Sequence, residues 1–254
     1  SAASVAAAIQ MRIAIVSDIH GNLTAFEAVL ADLRQTAPDL ILHGGDLAQG
    51  GPRPGEIVDR IRELGWRGVV GNTDEVLFRP ESLTEFAKLA PKLAPLLAAI
   101  EQLAAAARKA LGAERIEWLR RLPPVLREDS VALVHASPGN LWRAPTLDAS
   151  DAELESIYGP LGKPVAVHGH IHQPYVRTIG GLTVANSGSV SLSYDGDPRA
   201  SYLLVDGAKA SIRRVEYDIE REIRAGFDSG LPHAEWVARI LRSGRPQAVA
   251  ASQD

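Results

Sequence analysis

The stretch Arg12–Asn22 reads RIAIVSDIHGN. Its first five residues form an apolar run rich in β-branched side chains, which is typical of a buried β-strand. The run ends abruptly at Ser17-Asp18, and apolar residues then recur at helical spacing across Asn22–Leu33. A strand that passes through a short polar loop into a helix predicts the first part of a parallel β-α-β unit, with polar side chains at the end of the strand.

The residues that follow repeat this order. A second strand is predicted at Asp39–Leu42, a helix at Glu56–Leu64 and a third strand at Gly68–Val70. Each strand again ends in a polar loop, Gly44-Gly45-Asp46 after the second and Gly71-Asn72 after the third. Short alternating elements predict parallel strands joined by right-handed crossovers. Since ligands bind at the carboxyl ends of the strands in such sheets, these polar loops mark the candidate site.

The middle of the chain has a different pattern. Residues 80–122 contain no strand-like run, and apolar residues recur at steps of three and four between Leu93 and Leu111, before a shorter helical pattern at Glu114–Leu122. We interpret this segment, about 80–122, as a helical insertion between two halves of the fold. Packing is its expected role, and covering of the site is the alternative.

Strands return after the insertion. They are predicted at Val125–Arg127, Val131–His135, Val165–His168, Tyr175–Ile179, Leu182–Ala185, Ser201–Val205 and Ser211–Glu216. Because the last four have no helical pattern between them, they are expected to form antiparallel hairpins. Two helices are predicted after the strands, at Ile219–Ala225 and Pro232–Leu241. No flexible linker divides the chain, so a single domain is predicted over 11–242, with an N-terminal extension (1–10) before it and a flexible tail (243–254) after it.

The composition argues against several classes of protein. No apolar window long enough to span a bilayer is free of charge or of Pro and Gly, so no membrane association is expected. The net charge is −4 and dense runs of Lys and Arg are missing, so the sequence carries no strong signal of nucleic-acid binding. Cys is absent, which removes disulfides and thiolate metal sites and agrees with a cytoplasmic location. The oligomeric state is left open by the sequence.

Polar residues suited to chemistry lie in six short segments, each after a predicted strand: Ser17–Asn22, Gly44–Asp46, Gly71–Glu75, His135, Gly169–His172 and Asn186–Ser189. Carboxylate, amide and imidazole donors without sulfur suit Mn, Fe, Zn, Ni or Co. Two divalent ions would exceed the two negative charges of Asp18 and Asp46, and a positive surplus fits a phosphate ester better than a neutral carbonyl. Two such ions about 3.5–4 Å apart can clamp a phosphoryl group and make hydroxide from bridging water at neutral pH.

The ordered series of these segments resembles the calcineurin-like metallophosphoesterases, whose pattern is D-x-H, G-D, G-N-H-[DE], H and G-H-x-H. The matching residues are Asp18-Ile19-His20, Gly45-Asp46, Gly71-Asn72-Thr73-Asp74, His135 and Gly169-His170-Ile171-His172. The stretch Asn186–Tyr202 (NSGSVSLSYDGDPRASY) is also similar to a segment of a small prokaryotic subgroup described as phosphodiesterases. The resemblance implies a four-layer α/β/β/α sandwich with a dinuclear metal centre.

The resemblance also implies a role for each matching residue. One ion would be bound by Asp18, His20 and His172, and the other by Asn72, His135 and His170. The carboxylate of Asp46 would bridge the two ions, and Asp46, Asn72 and His135 would be the catalytic residues. Behind them, Asn22 and Asp74 would hold the ligands in orientation. Manganese is the expected metal, with Fe, Zn, Ni or Co as alternatives.

One position departs from the family pattern. Thr73 stands where the family's G-N-H motif supplies a His as general acid, and a hydroxyl is far too weak an acid to replace imidazolium near pH 7. The expected substrate is therefore a small phosphodiester, or an ester with an acidic leaving group. A phosphomonoesterase acting on nucleotides or phosphoproteins is the alternative. A non-catalytic scaffold of the same fold is disfavoured, because every ligand position carries a suitable residue.

Overall fold

A computed structural model describes residues 11–249 of the chain. The predicted extension (1–10) and residues 250–254 of the predicted tail lie outside the described residues. The strands are β1 (Arg12–Val16), β2 (Leu40–His43), β3 (Arg67–Gly68), β4 (Val125–Glu128), β5 (Val131–Val134), β6 (Val165–His168), β7 (Tyr175–Ile179), β8 (Leu182–Asn186), β9 (Ala200–Asp206) and β10 (Lys209–Val215). The helices are α1 (Leu23–Thr36), α2 (Pro54–Glu63), α3 (Asn72–Phe78), α4 (Glu81–Leu89), α5 (Ala94–Arg120), α6 (Asp151–Tyr158), α7 (Ile219–Asp228) and α8 (Ala234–Ser243).

The strands form two five-stranded sheets. The first has the order β10-β9-β1-β2-β3 and the second β4-β5-β6-β8-β7. In the first sheet β1, β2 and β3 are parallel, as predicted, and β9 runs antiparallel to both β1 and β10. In the second sheet β5, β6 and β8 are parallel. The predicted hairpins are confirmed for β7–β8 and β9–β10, but the two hairpins belong to different sheets.

The sheets pack face to face because their strands turn apolar side chains to both faces in alternation. On β1, Ile13 joins the core between the sheets, whereas Ala14 packs under the helices that cover the first sheet. On β5, Val131 joins the same central core, whereas Ala132 packs on the other side against α6. The result is the predicted α/β/β/α sandwich, in which inner strands such as β5 and β6 are buried on both faces and the edge strands β4, β7 and β10 are partly exposed.

The helical insertion connects β3, at the edge of the first sheet, to β4, at the edge of the second. It contains α4, α5 and a short 3-10 helix (Pro91–Leu93) between them. Inside α5 the helical backbone breaks at Gly112, whose φ of +72° is a left-handed conformation that glycine adopts without steric cost. This break separates the two helical patterns expected from the sequence. Buried residues of α5 pack against α3 and α2 over the first sheet.

Some local features differ from the sequence-based expectation, and two of them are informative. Helix α6, whose first turn is capped by the Ser150 hydroxyl, was not predicted, because only Leu154 and Tyr158 on it are buried. The flexible tail was predicted from residue 243, yet Ser243 is the last residue of α8. Beyond it the Trp236 indole donates to the Gln247 carbonyl at 2.8 Å, so the chain up to residue 249 returns along α8.

No single helix among residues 11–249 is long and apolar enough to cross a membrane. Two consecutive helical segments, Glu81–Leu89 and Pro91–Arg120, are together long and apolar enough by length and composition alone, but the chain bends by 119° between them.

Candidate metal centre

The carboxyl ends of five strands meet at one edge of the sandwich and carry all seven side chains predicted as ligands. After β1, β2 and β3 of the first sheet come Asp18, His20, Asp46 and Asn72, and after β5 and β6 of the second come His135, His170 and His172. Six of the seven are buried, and His170 is half-buried. Each sheet supplies only part of the set, so the cluster exists only because the two sheets are stacked.

One half of the cluster is formed by Asp18, His20 and His172. The Nε2 atoms of His20 and His172 lie 3.2 Å apart. The Oδ1 atom of Asp18 lies 3.1 Å from His172 Nε2 and 3.9 Å from His20 Nε2. Three potential ligand atoms therefore converge on one point, at a separation suited to a single metal ion.

The other half is centred on Asn72. Its Oδ1 atom lies 2.9 Å from His135 Nε2 and 3.0 Å from His170 Nδ1. Asp46 lies between the two halves, since its Oδ2 atom is 3.5 Å from His135 Nε2 and 3.7 Å from His20 Nε2. Ligand atoms of Asp18, Asp46 and His135 also come within 4.8 Å of one another. The Asp46 carboxylate therefore lies close to one histidine of each half, His20 and His135.

Each of the four histidines uses one ring nitrogen to bond a backbone carbonyl. His20 Nδ1 lies 2.7 Å from Gln49 O, and His135 Nδ1 lies 2.8 Å from Gly44 O. His172 Nδ1 lies 2.6 Å from Leu192 O, and His170 Nε2 lies 3.1 Å from Trp142 O. Because a carbonyl only accepts, each of these nitrogens must carry the proton, and in the neutral ring the other nitrogen presents its lone pair to the cluster.

This arrangement brings acceptors into contact with acceptors. With those tautomers, His20 and His172 face each other lone pair to lone pair, and Asn72 Oδ1 faces two unprotonated nitrogens. Such contacts are unfavourable unless a metal ion or a proton lies between the atoms. The donor set of oxygen and imidazole nitrogen without sulfur suits a first-row transition ion. The residues therefore fit divalent metal ions, held in orientation by the carbonyls behind them.

Burial and charge act in opposite directions on the ring pKa values. Burial lowers the pKa of His20, and burial together with the nearby His135 lowers the pKa of His170 to about 4. For His135 burial also opposes the charged form, but the carboxylates of Asp46 and Asp18 outweigh it and raise the pKa. For Asp18 burial is outweighed by His172, and the pKa is lowered. The carboxylate of Asp18 is therefore ionised and available as a ligand at neutral pH.

The backbone around these ligands is strained. Among the described residues, eight other than glycine have a positive φ, and five of them are predicted ligands: Asp18 (56°), His20 (49°), Asp46 (54°), His170 (69°) and His172 (56°). Such conformations are costly for residues with a Cβ and persist only where the surroundings impose them. Gly71 shows how close the packing is, because a Cβ there would lie 2.0 Å from Asp46 Oδ1.

Asp74 and Asn22, both predicted to orient ligands, have different roles. The Asp74 carboxylate accepts the backbone N–H groups of Asp46 (2.8 Å), Leu47 (3.0 Å) and Gly71 (3.1 Å), so it fixes the loop that carries Asp46. Burial and the charge of Asp46 raise the pKa of Asp74 to about 7. Asn22 caps α1 through Ala25 N at 2.9 Å and donates to Ser191 Oγ. Its bonds within the described chain thus go to the helix and to a neighbouring loop, not to a ligand side chain, and this corrects the expectation.

Thr73 lies at the floor of the site. Its backbone N–H donates to Asp46 Oδ1 at 2.9 Å, which helps to fix that carboxylate. Its hydroxyl is buried and has no hydrogen-bond partner within residues 11–249. The side chain that replaces the family's histidine therefore makes no polar contact that would prepare it for proton transfer.

The sequence reasoning missed some contributors to the site and left the role of others unassigned. The most informative is Gln49, whose carbonyl accepts from His20 and whose side-chain amide donates to Ile100 O at 3.1 Å, linking the ligand loop to α5. Ser189, in the segment predicted as part of the site, bonds Asp18 O at 2.8 Å and supports the loop from behind. No local motif marks Gln49 or the apolar residues of α5, because their role depends on how the insertion packs.

The family model of the calcineurin-like phosphoesterase superfamily domain matches residues 11–210. An uncharacterized protein of Methanocaldococcus jannaschii is 32% identical over 93% of this chain and 100% of its own length. A metallophosphoesterase of known structure from Sphaerobacter thermophilus is 29% identical, with a TM-score of 0.75 over 92% of this chain and 99% of that one.

Two relatives with named activities are more distant. Phosphodiesterase YfcE of Escherichia coli is 27% identical over 80% of this chain and 91% of its own length. A symmetrical bis(5'-nucleosyl)-tetraphosphatase of Pectobacterium carotovorum is 28% identical over 66% of this chain and 59% of its own length.

Proposed function

This chain belongs to the calcineurin-like phosphoesterase superfamily, and from that membership and the site geometry we propose that it hydrolyses phosphodiesters with two divalent metal ions. The observation that carries the proposal is the orientation of the four histidines. All four bond a backbone carbonyl on one side and turn the other nitrogen towards Asp18, Asp46 or Asn72. In a cluster with only a structural role, buried acceptors would be expected to face hydrogen-bond donors and not one another.

The ligands divide between two ions. We assign Asp18, His20 and His172 to the first and Asn72, His135 and His170 to the second, with Asp46 shared by both. The short distances within each half and the central position of Asp46 support this division. Manganese is the metal we expect, and Fe, Zn, Ni and Co suit the same donors.

Divalent ions in such a pair neutralise phosphoryl oxygens and make water a nucleophile at neutral pH. The residues of the chain supply the geometry for that chemistry. Asp46 is fixed by the N–H of Thr73, and its loop is fixed by Asp74. The carbonyls of Gln49, Gly44, Trp142 and Leu192 set the orientation of the four rings, so the site is formed before substrate binds.

The preference for diesters rests on Thr73. No imidazole occupies this position, so the departing oxygen must rely on its own acidity or on water for its proton. A diester also carries one negative charge fewer than a monoester at neutral pH, which reduces repulsion with the attacking nucleophile. The relationship to phosphodiesterase YfcE supports the same choice.

The test combines metal analysis with paired substrates. We expect purified protein to bind two transition-metal ions per chain and to lose activity on chelation. We also expect the metal-loaded protein to hydrolyse bis(p-nitrophenyl) phosphate faster than p-nitrophenyl phosphate, two compounds with the same leaving group. A protein that takes up no metal after reconstitution would contradict the proposal. Faster hydrolysis of the monoester would instead favour the phosphomonoesterase alternative.

A further inference from the structure

Above the metal ligands lies a cavity of about 200 Å³. Its floor is polar and includes His20, Asp46, Asn72, Thr73, His170 and His172. Its wall is apolar and comes from three separate parts of the chain: Leu96, Ile100 and Leu103 of α5, Leu192 and Tyr194 of the loop before β9, and Trp236 and Val237 of α8. An apolar wall beside a few convergent polar groups is the usual composition of a small-molecule site.

The wall is firmly held. Leu103, Leu192, Trp236 and Val237 are each less than 10% exposed and belong to one hydrophobic cluster with α7 and α8. The Trp236 indole N–H is used by Gln247 O on the side of the C-terminal segment. The ring of Tyr194 stacks on His172, with 4.6 Å between centroids and 29° between planes. The wall therefore offers fixed aromatic and aliphatic surface directly beside the ligands.

The charges around the cavity restrict what it can hold. Among the described residues that line it there is no Lys and no Arg. A second phosphate group would therefore enter apolar surroundings without a protein cation to pair with, and burying an unpaired charge is costly. An uncharged ring would instead gain from leaving water. An apolar cavity of about 150 Å³ can hold benzene, so a volume of about 200 Å³ is of the size that one such ring requires.

We propose that this wall is a subsite for one ester group of the substrate, an uncharged flat group about the size of one aromatic ring on a monoanionic phosphodiester. The proposal rests on the proposed function and specifies its substrate class. In the hydrolysis, the oxygen of water forms a bond to phosphorus, one P–O ester bond breaks, and the departing oxygen takes up a proton. The products are a phosphomonoester and an alcohol.

The experiment measures binding separately from turnover. Phenyl methylphosphonate and methyl methylphosphonate are monoanions that differ only in the ester group. Their affinities for the metal-loaded full-length chain are measured by calorimetry. We expect the phenyl ester to bind at least about tenfold more tightly, because its ring leaves water against the wall. The Ile100→Trp substitution fills the cavity, so it should reduce this preference to near unity while the methyl ester still binds.

Ala98→Trp is the matched control, since Ala98 lies on the same helix but is exposed. We expect it to keep the tenfold preference and the wild-type activity. The outcomes separate the two proposals. Hydrolysis of diesters by a wild-type protein that binds both phosphonates equally overturns the subsite alone, and this comparison needs no variant to fold. A metal-loaded protein that hydrolyses no phosphate ester overturns the proposed function and the subsite with it.

Discussion

Two groups of histidines lie at the ends of strands in the sandwich or in the loops that follow them. His20, His135, His170 and His172 surround Asp46 and Asn72, whereas His43 and His168 lie one layer deeper, three residues before Asp46 and two before His170. Burial hardly separates the groups, because His135 is as inaccessible as His43 and His168. Their hydrogen bonds do separate them. Each member of the first group has one nitrogen on a carbonyl and one facing the cluster.

Within the described chain, neither member of the deeper pair hydrogen-bonds Asp18, Asp46 or Asn72. His168 uses Nδ1 towards Gly169 O and Nε2 towards Tyr175 Oη, at 3.1 Å and 2.8 Å. His43 has no hydrogen-bond partner on either nitrogen within the described chain, and burial lowers its pKa to about 3. A buried histidine at a strand end is therefore not by itself a ligand. The second ring nitrogen distinguishes the two groups, since in the first group it faces Asp18, Asp46 or Asn72 and in His168 it bonds Tyr175 instead.

The largest effect on the rate of hydrolysis is expected when a residue of the candidate metal centre is substituted, compared with a substitution of a deeper histidine. Asp46→Asn removes the negative charge that the two proposed metal positions would share. We expect the rate of diester hydrolysis to fall by more than about 100-fold, which exceeds the loss typical of substitutions behind metal ligands. His43→Leu should leave the rate within a few-fold of wild type. Steady-state kinetics with metal analysis of both variants provides the measurement. Equal losses in two folded, metal-loaded variants would show that His43 belongs to the working site.

A smaller effect, on metal affinity, is expected for Asp74, which lies behind the predicted ligands. Asp74→Asn keeps the shape but replaces an acceptor oxygen by an NH₂ group facing backbone N–H donors, so at least one of three bonds that hold the Asp46 loop is lost. We expect metal affinity to weaken by about 10–100-fold, measured by titration of the metal-free protein. Asp148→Asn is the control, because Asp148 is exposed and accepts a bond from the hydroxyl of the nearby Thr146. Unchanged affinity in Asp74→Asn would mean that packing alone positions the loop.

A third prediction adds a histidine to the first group. Thr73→His places an imidazole beside the phosphoryl position, and a positioned general acid is worth about 10²–10⁴-fold. For a side chain that this cavity was not shaped to orient, we expect roughly a tenfold gain, on monoesters with poor leaving groups and not on activated diesters. A series of leaving groups should show a shallower dependence of rate on leaving-group pKa. Identical slopes in both proteins would indicate that another residue already donates the proton.

The smallest effect on turnover, near zero, is expected for His43→Leu. The same substitution should change how the stability of the protein depends on pH. The folded protein keeps His43 neutral to about pH 3, whereas the unfolded chain binds a proton below about pH 6.5. Acidification therefore favours the unfolded state through His43, by about 2 kcal/mol between pH 7 and pH 5. His43→Leu should lack this loss, so its stability relative to wild type should rise by that amount in urea unfolding of the metal-free proteins. A constant difference across this pH range would show that His43 is protonated in the fold.

Much of the centre could be predicted from the sequence. The order of D-x-H, G-D, G-N and G-H-x-H after successive apolar runs led to seven residues that the structure brings together at one edge. The parallel strands and the sandwich were likewise expected. Asn22 was misassigned because an Asn after a strand also serves as a helix cap, and local sequence does not separate the two roles. Helix α6 was missed because too few of its residues are buried to give a periodic signal.

By itself, the sequence determined which ligand atoms are present and at which strand ends they stand, because strand periodicity and short loops are local properties of the chain. Only the tertiary structure decided which nitrogen of each histidine faces the cluster, since the carbonyls of Gln49, Leu192 and Trp142 come from other loops. It also decided the apolar wall. Leucine, isoleucine and tryptophan in α5 and α8 have the pattern of any core helix, and they become a cavity wall only because the two helices pack beside the strand ends of the sandwich.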